Sequence, residues 1–224
     1  MFGWKASPDH LRRGCAAGLA LFFAISISPR GAAAAAPAPP ATAAVERFAI
    51  DPSASQASYR VGETFFSRNN EFKVAVGTTR GIQGQILVDR AHPSQSRIGP
   101  ITVDLSQLTS DSRRRDREIR NRWLESARYP TAVFTPTSID GLPAAYVDGR
   151  PIPVRIAGNL EVHGVTKSLT FTGTVTLSGA ALTGDATASV LMTDFGFDPP
   201  SLLGFLQAQN QVELEIQFTA QRAP

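Results

Sequence analysis

Near the end of the chain, Val212, Leu214, Ile216 and Phe218 alternate with Glu213, Glu215, Gln217 and Thr219. In a pleated strand successive side chains point to opposite faces, so this spacing describes a strand with one dry and one wet face. The same period recurs along the chain. Ala57, Tyr59 and Val61 show it, as do Phe72, Val74 and Val76, then Ile86 and Val88, then Ile101, Val103 and Leu105. It continues at Val154, Ile156, Leu160 and Val162, with Gly158 in phase, and at Leu169, Phe171, Val175 and Leu177, with Gly173 in phase. Leu182, Ala186, Ala188, Val190 and Met192 form another set. About eight such strands in one domain predict an all-β fold, either a sandwich or a closed barrel.

The connections are partly legible. Val162-His163-Gly164-Val165 has the form of a two-residue hairpin turn, since glycine supplies positive φ and histidine tolerates the left-handed region. His163 therefore needs no chemical role to explain it. Val76-Gly77-Thr78-Thr79 and Ser178-Gly179 are expected to be turns or bulges. Gly84, Gly158, Gly173 and Gly184 fall inside strand patterns, where glycine marks bulges and sharp bends.

Residues 1–44 stand apart. Lys5, Arg12 and Arg13 precede the apolar run CAAGLALFFAISI (15–27), which leads into an Ala/Pro tract. This is the layout of a secretory signal peptide plus linker, with cleavage expected near residues 35–43, after Ala35 or Ala43. The run is short for a membrane span; an uncleaved N-terminal membrane anchor is the alternative. The folded domain is thus expected over 45–224, in the periplasm or secreted.

Removing the first 36 residues changes the charge. They hold Lys5, Arg12, Arg13 and Arg30 against Asp9, so 18 of the 22 basic and 18 of the 19 acidic residues remain. A neutral exported domain is not what nucleic acid selects. The remainder has no cysteine and only His92 and His163, the latter near one carboxylate, Glu161. No zinc spacing, no phosphate-cradling loop and no nucleophile elbow is present. No catalytic residue, metal site or cofactor is expected.

One stretch breaks the strand pattern. Six arginines fall between Arg113 and Arg122. Ser110 or Asp111 can cap a helix there. Ile119, Trp123 and Ala127, with Leu124 beside them, form one apolar stripe. Arg113, Arg114, Arg117 and Arg120 lie off it, and Asp116–Arg120 and Glu118–Arg122 can pair at i, i+4. Tyr129-Pro130 ends the helix. The arginines read as the wet face of one short-to-medium helix, with an anionic head group as the competing reading.

The same stretch, DSRRRDREIRNRWLESARYPTAVF (111–134), resembles the central signature of the YceI-like family. GNLEVHGVTKSLTF (158–171) resembles that family's hairpin, and Asp194-Phe195-Gly196-Phe197 its late strand. The three occur in family order within roughly residues 46–222. FFSRNNEF (65–72) departs from the family's commoner histidine-bearing strand. The resemblance implies a lipocalin-like antiparallel β-barrel of about eight strands. It also implies an exported protein that holds a long-chain isoprenoid, a polyprenyl phosphate or a quinone, inside the barrel, and no enzyme. Inward candidates for the cavity lining are Tyr59, Phe72, Val74, Val103, Phe134, Leu160, Val162, Phe171, Val190 and Phe195. The loop DPPSLLGFLQAQ (198–209) carries Leu202, Leu203, Phe205 and Leu206, more apolar area than a surface loop needs. It is expected to cap the mouth, with a plug helix as the alternative. A homodimer and a transient membrane contact are further expectations. Two readings compete: a structural or stress-response barrel filled by its own side chains, and a hydrolase with an internal carboxylate pair.

Overall fold

The computed structural model describes residues 45–202 and 204–223. The expected signal peptide and linker, and Leu203 of the expected cap, lie outside the described residues. The strands are β1 (Glu46–Ile50), β2 (Gln56–Phe65), β3 (Glu71–Thr79), β4 (Ile82–Gln83), β5 (Gln85–Val88), β6 (Arg97–Ile98), β7 (Ile101–Asp104) and β8 (Thr109–Ser110). After helix α1 (Arg113–Glu118) come β9 (Thr131–Asp140), β10 (Pro151–Val162), β11 (Val165–Ser178), β12 (Ala181–Leu191), β13 (Ser201–Leu202) and β14 (Leu206–Arg222).

All are antiparallel members of one curled sheet. Its main path runs β4-β7-β9-β10-β11-β12-β14, and β14 also pairs with β2, which pairs with β3. Because β3 leads through Arg80–Gly81 directly into β4, the path returns on itself. The result is a barrel-like wrap of eight strands: β2, β3 with β4, β7, β9, β10, β11, β12 and β14. The 17-residue β14 serves both ends. Its first part and middle hold β2, and its last residues, Ala220–Arg222, hold β1, which pairs on to β5. A register shift between Ala208 and Val212 bends β14 where it follows β2.

The alternating residues pack inward as period two requires. Phe48, Ile82 and Ala220 are wholly buried, and Leu177 nearly so. Each large apolar side chain withdrawn in this way contributes about 1.5–3 kcal/mol. His163 and Gly164 both take positive φ (54° and 75°) and join β10 to β11 in the expected two-residue turn. Gly158 sits at a register shift between β10 and β9. A Cβ there would come within 2.6 Å of the Phe134 ring, so its bend brings that ring close to the sheet.

Three local expectations are corrected. The helix is shorter than its stripe. Ser112, not Ser110 or Asp111, caps α1 by accepting from the Arg115 amide. Beyond Glu118 the chain widens into a π-turn over Ile119–Trp123, in which the Leu124 amide reaches back to the Ile119 carbonyl. The wider turn shifts the phase, so Ser126 is buried and Ala127 is exposed. Gly77 is not in a turn. It lies within β3, opposite Tyr59 and Ser110, and a Cβ on it would overlap the Tyr59 ring.

The third correction concerns β3, whose phase is the reverse of that expected. Ala75, Gly77 and Thr79 face inward, and Phe72 and Val74 are more than half exposed (56% and 52%). The β2 register explains this. Val61 stands opposite Ala75 and Tyr59 opposite Gly77. Cross-strand partners share a face, so the large residues of β2 leave room only for small partners inside.

Candidate functional site

The inner faces of these strands do not meet at the centre. They leave a partly open cavity of about 180 Å³ between β2, β9, β10, β11, β14 and the segment after β8. A second space of about 90 Å³ lies towards β1 and β5. Ile101, Phe134, Phe171 and Ile216 line both. Phe134 and Phe171 meet edge to face, ring centres 5.0 Å apart, and form a waist between two lobes.

Of the ten residues expected to line a cavity, the structure places eight on the wall of the larger lobe: Tyr59, Val103, Phe134, Leu160, Val162, Phe171, Val190 and Phe195. Phe72 and Val74 are on the outer surface, for the reason given by the β2–β3 register. The segment 198–209 is neither a loose cap nor a plug helix. It is a tight hairpin in which β13 returns to β14 through Gly204, at a φ of 73°. Leu202 and Phe205 are exposed at its tip, Leu206 is partly buried in the β14–β2 pair, and none of the three is on the cavity wall. Pro200 and Ala208, at the base of the hairpin, do reach the wall.

The roof comes from the arginine-rich stretch. Ile119, Trp123 and Leu124 face the cavity, and the wide π-turn lets all three share that face. Arg113, Arg114 and Arg117 are exposed, as a wet face requires. Glu118 pairs with Arg122 at 3.5 Å, whereas Asp116 accepts from the Ser110 amide and hydroxyl instead of pairing with Arg120.

Arg115 turns inward. Its Nε and Nη2 donate to the two carboxylate oxygens of Glu63, at 3.1 and 2.7 Å. Nη1 donates to Ser110 Oγ at 3.2 Å and to Asp111. The Arg115 and Glu63 side chains are only 14% and 7% exposed, and both residues line the cavity. Burial works against the arginine's charge, but the hydrogen bonds it donates to Glu63 and Asp111 outweigh it and raise its pKa further. Beside this pair stands Tyr59. Burial, against the opposing pull of Arg115, pushes its phenol well above the usual range, so it stays protonated. Its hydroxyl is buried and has no hydrogen-bond partner.

Sequence reasoning missed Glu63 and Arg115, although both left a signal. Glu63 is in phase with Ala57, Tyr59 and Val61, and so is a charge on a dry face. Arg115 lies one i, i+4 step before Ile119 and Trp123. His163, expected to stand alone, has a partner: its Nε2 is 2.7 Å from Glu125, and its ring lies tilted against Tyr129 with centres 4.4 Å apart. That contact ties the β10–β11 turn to the chain after the π-turn.

A family model for the YceI-like domain matches residues 48–220. The chain belongs to the YceI-like family. A UPF0312 protein of Pseudomonas putida is 30% identical over 131 residues, which cover 55% of this chain and 64% of that protein's length. A UPF0312 protein of Pseudomonas fluorescens is 26% identical over 159 residues, 68% of this chain and 77% of the relative. Among solved structures, a polyisoprenoid binding domain from Saccharophagus degradans superposes with a TM-score of 0.59 at 13% identity. The match covers 79% of this chain and 98% of that one. BcnA of Burkholderia cenocepacia superposes at 0.57 with 18% identity, covering 76% and 98%. At such identities the likeness is one of fold. The YceI-like barrel of this chain is thus the expected all-β architecture with one short helix.

Proposed function

We propose that this protein is an exported lipid-binding protein that holds a long-chain isoprenoid in the barrel and performs no chemistry on it. The observation that carries this reading is the two-lobed cavity. Its wall is built from strand residues such as Val103, Leu160 and Val190, with Glu63, Arg115 and Glu215 as its charged members. Most of that wall is apolar, and apolar cavities of comparable size take up hydrocarbon. Each methylene placed there contributes about 0.8 kcal/mol, so affinity comes from the tail. A structural barrel packs its interior to crystal-like density; the void favours the carrier over that alternative. The likeness to a polyisoprenoid binding domain supports the isoprenoid class. The N-terminal layout of the sequence supports export.

The test is direct. Purified under native conditions and extracted with organic solvent, the protein should release about one isoprenoid lipid per chain, identified by mass spectrometry. Protein that elutes empty, and that fails to take up prenyl lipid from detergent or vesicles, would remove the basis for this function.

A further inference from the structure

Exposed apolar residues are ordinarily scattered singly over a surface, and a cluster of them marks an interaction site. Of the eight large apolar residues exposed among the described ones, five gather about two neighbouring turns: Phe66, Phe72, Val74, Leu202 and Phe205. Phe66 and Phe205 belong to the β2–β3 and β13–β14 connections, which are tied together where the Phe66 amide donates to the Phe205 carbonyl at 2.9 Å. Leu202 joins them through Leu206, its partner in β14, which in turn stands opposite Phe65 on β2. Phe72 and Val74 continue the patch along the outer side of β3, and the Phe72 ring lies over Gly62, where a Cβ would come within 2.8 Å of it. None of the five lines the cavity.

The same corner of the barrel gathers positive charge. Arg68 and Lys73 share the carboxylate of Glu71, at 3.7 and 3.2 Å. Helix α1 lies beside β3: it follows β8, which pairs with β3 at Gly77 and Thr78, and its Arg115 reaches Glu63, the partner of Lys73 in the β2–β3 register. Arg113, Arg114 and Arg117 of that helix are exposed. Residues 60–74 and 110–122 together hold nine basic and five acidic side chains, against nine and thirteen in the rest of 45–224. A domain that is neutral as a whole is thus polarised, with its surplus of cations around its greasiest surface.

An apolar tip rimmed by arginine and lysine fits the interface of an anionic bilayer, where aromatic rings sit at head-group depth and each cation is drawn to the surface. A second copy fits it poorly, because a two-fold contact would set this cluster of cations against itself. Pro200 and Ala208, at the base of the same hairpin, and Glu63 on β2 reach the cavity wall, so patch and cavity share one end of the barrel. We infer that the β2–β3 and β13–β14 tips, with the outer side of β3 and the exposed arginines of α1, form a docking surface for a membrane bearing anionic phospholipid. Its purpose, the loading and unloading of lipid, rests on the carrier reading; docking itself does not. Docking sets the rate of exchange with the bilayer, whereas the cavity sets how much lipid is held.

The full chain carrying Cys15→Ser has no cysteine, so Phe205→Cys introduces one site for an environment-sensitive dye, and Val147→Cys, exposed in the β9–β10 connection, serves as the control. On vesicles of phosphatidylcholine with about a quarter phosphatidylglycerol, the dye at 205 should shift to the blue and the dye at 147 should not. Both labelled chains share the N-terminal apolar run, so its own affinity for lipid does not produce the difference between them. Phosphatidylcholine alone, or Arg68→Gln with Lys73→Gln on anionic vesicles, should weaken the response at 205 about tenfold, and Phe66→Ser should do the same. In the unlabelled chain with Trp4→Phe, uptake of a benzoquinone with a ten-carbon tail from these vesicles is read by quenching of Trp123, on the cavity wall. Phe66→Ser should slow that uptake about tenfold and leave its end-point unchanged. The docking surface is overturned if the dye at 205 ignores anionic vesicles or responds equally to both compositions. It is also overturned if that dye responds to rising protein concentration without vesicles, the mark of a second copy. Quinone uptake in any of these cases leaves the carrier reading standing. Docking at 205 without uptake by the parent chain would support the surface and remove the carrier reading.

Discussion

Glu63 and Arg115 show what a charged pair costs and contributes on a dry wall. Removing one partner from a buried pair leaves the other charge unsolvated, which typically costs about 3–5 kcal/mol, whereas replacing both by apolar residues is often neutral. Arg115→Met should therefore lower stability by about 3–5 kcal/mol, and Arg115→Met with Glu63→Met should recover most of it. Urea denaturation of the two singles and the double completes the cycle; additive losses would mean that the two side chains do not depend on each other. Gly77 makes a simpler prediction. A methyl group there collides with the Tyr59 ring, so Gly77→Ala should cost about 1–3 kcal/mol through overpacking. The same denaturation assay reads it, and an unchanged midpoint would place the ring elsewhere.

At the level of elements, the hairpin of β13 and β14 divides its labour between base and tip. Phe205 is 63% exposed at the tip, while Ala208 is buried at the base and lies on the cavity wall. Phe205→Ser should leave stability within about 0.5 kcal/mol, as surface changes usually do, and should leave bound lipid unchanged. Ala208→Leu should lower lipid content by filling the space where a tail would run. Quantitative mass spectrometry of extracts from the two variants separates the outcomes; loss of lipid in Phe205→Ser would restore the cap expected from composition. The helical segment is divided in the same way. Its exposed arginines solvate one face, and the π-turn brings Ile119, Trp123 and Leu124 together on the other. A regular α-helix would have continued the stripe at Ala127, which here is exposed.

For the whole molecule the decisive feature is the waist. Phe134 and Phe171 separate two lobes of about 180 and 90 Å³. Phe134→Ala should open one continuous channel at a cost of about 3–5 kcal/mol. The preferred tail should then lengthen, read as a shift in the optimum of an alkyl-chain series measured by competition at Trp123. An unchanged optimum would show that the lobes already act as one, or that only one of them is used.

The legible part of this protein was whatever depends on neighbours a few residues apart. Period-two alternation determined the strands, His163-Gly164 determined its turn, and the stripe of Ile119, Trp123 and Ala127 located the helical segment, although its last member turned out exposed. These follow from backbone geometry, which acts locally. Tertiary structure decided what depends on which strand lies opposite. β3 alternates as clearly as β2, yet its larger side chains face solvent, because the space inside was already taken by Tyr59 and Val61. The Glu63–Arg115 pair joins residues 52 positions apart, and no periodicity announces such a contact. The greasy tip at Phe205 was misread for a related reason. Composition records how much apolar surface a segment carries, while the register of β14 against β2 fixes which way that surface points.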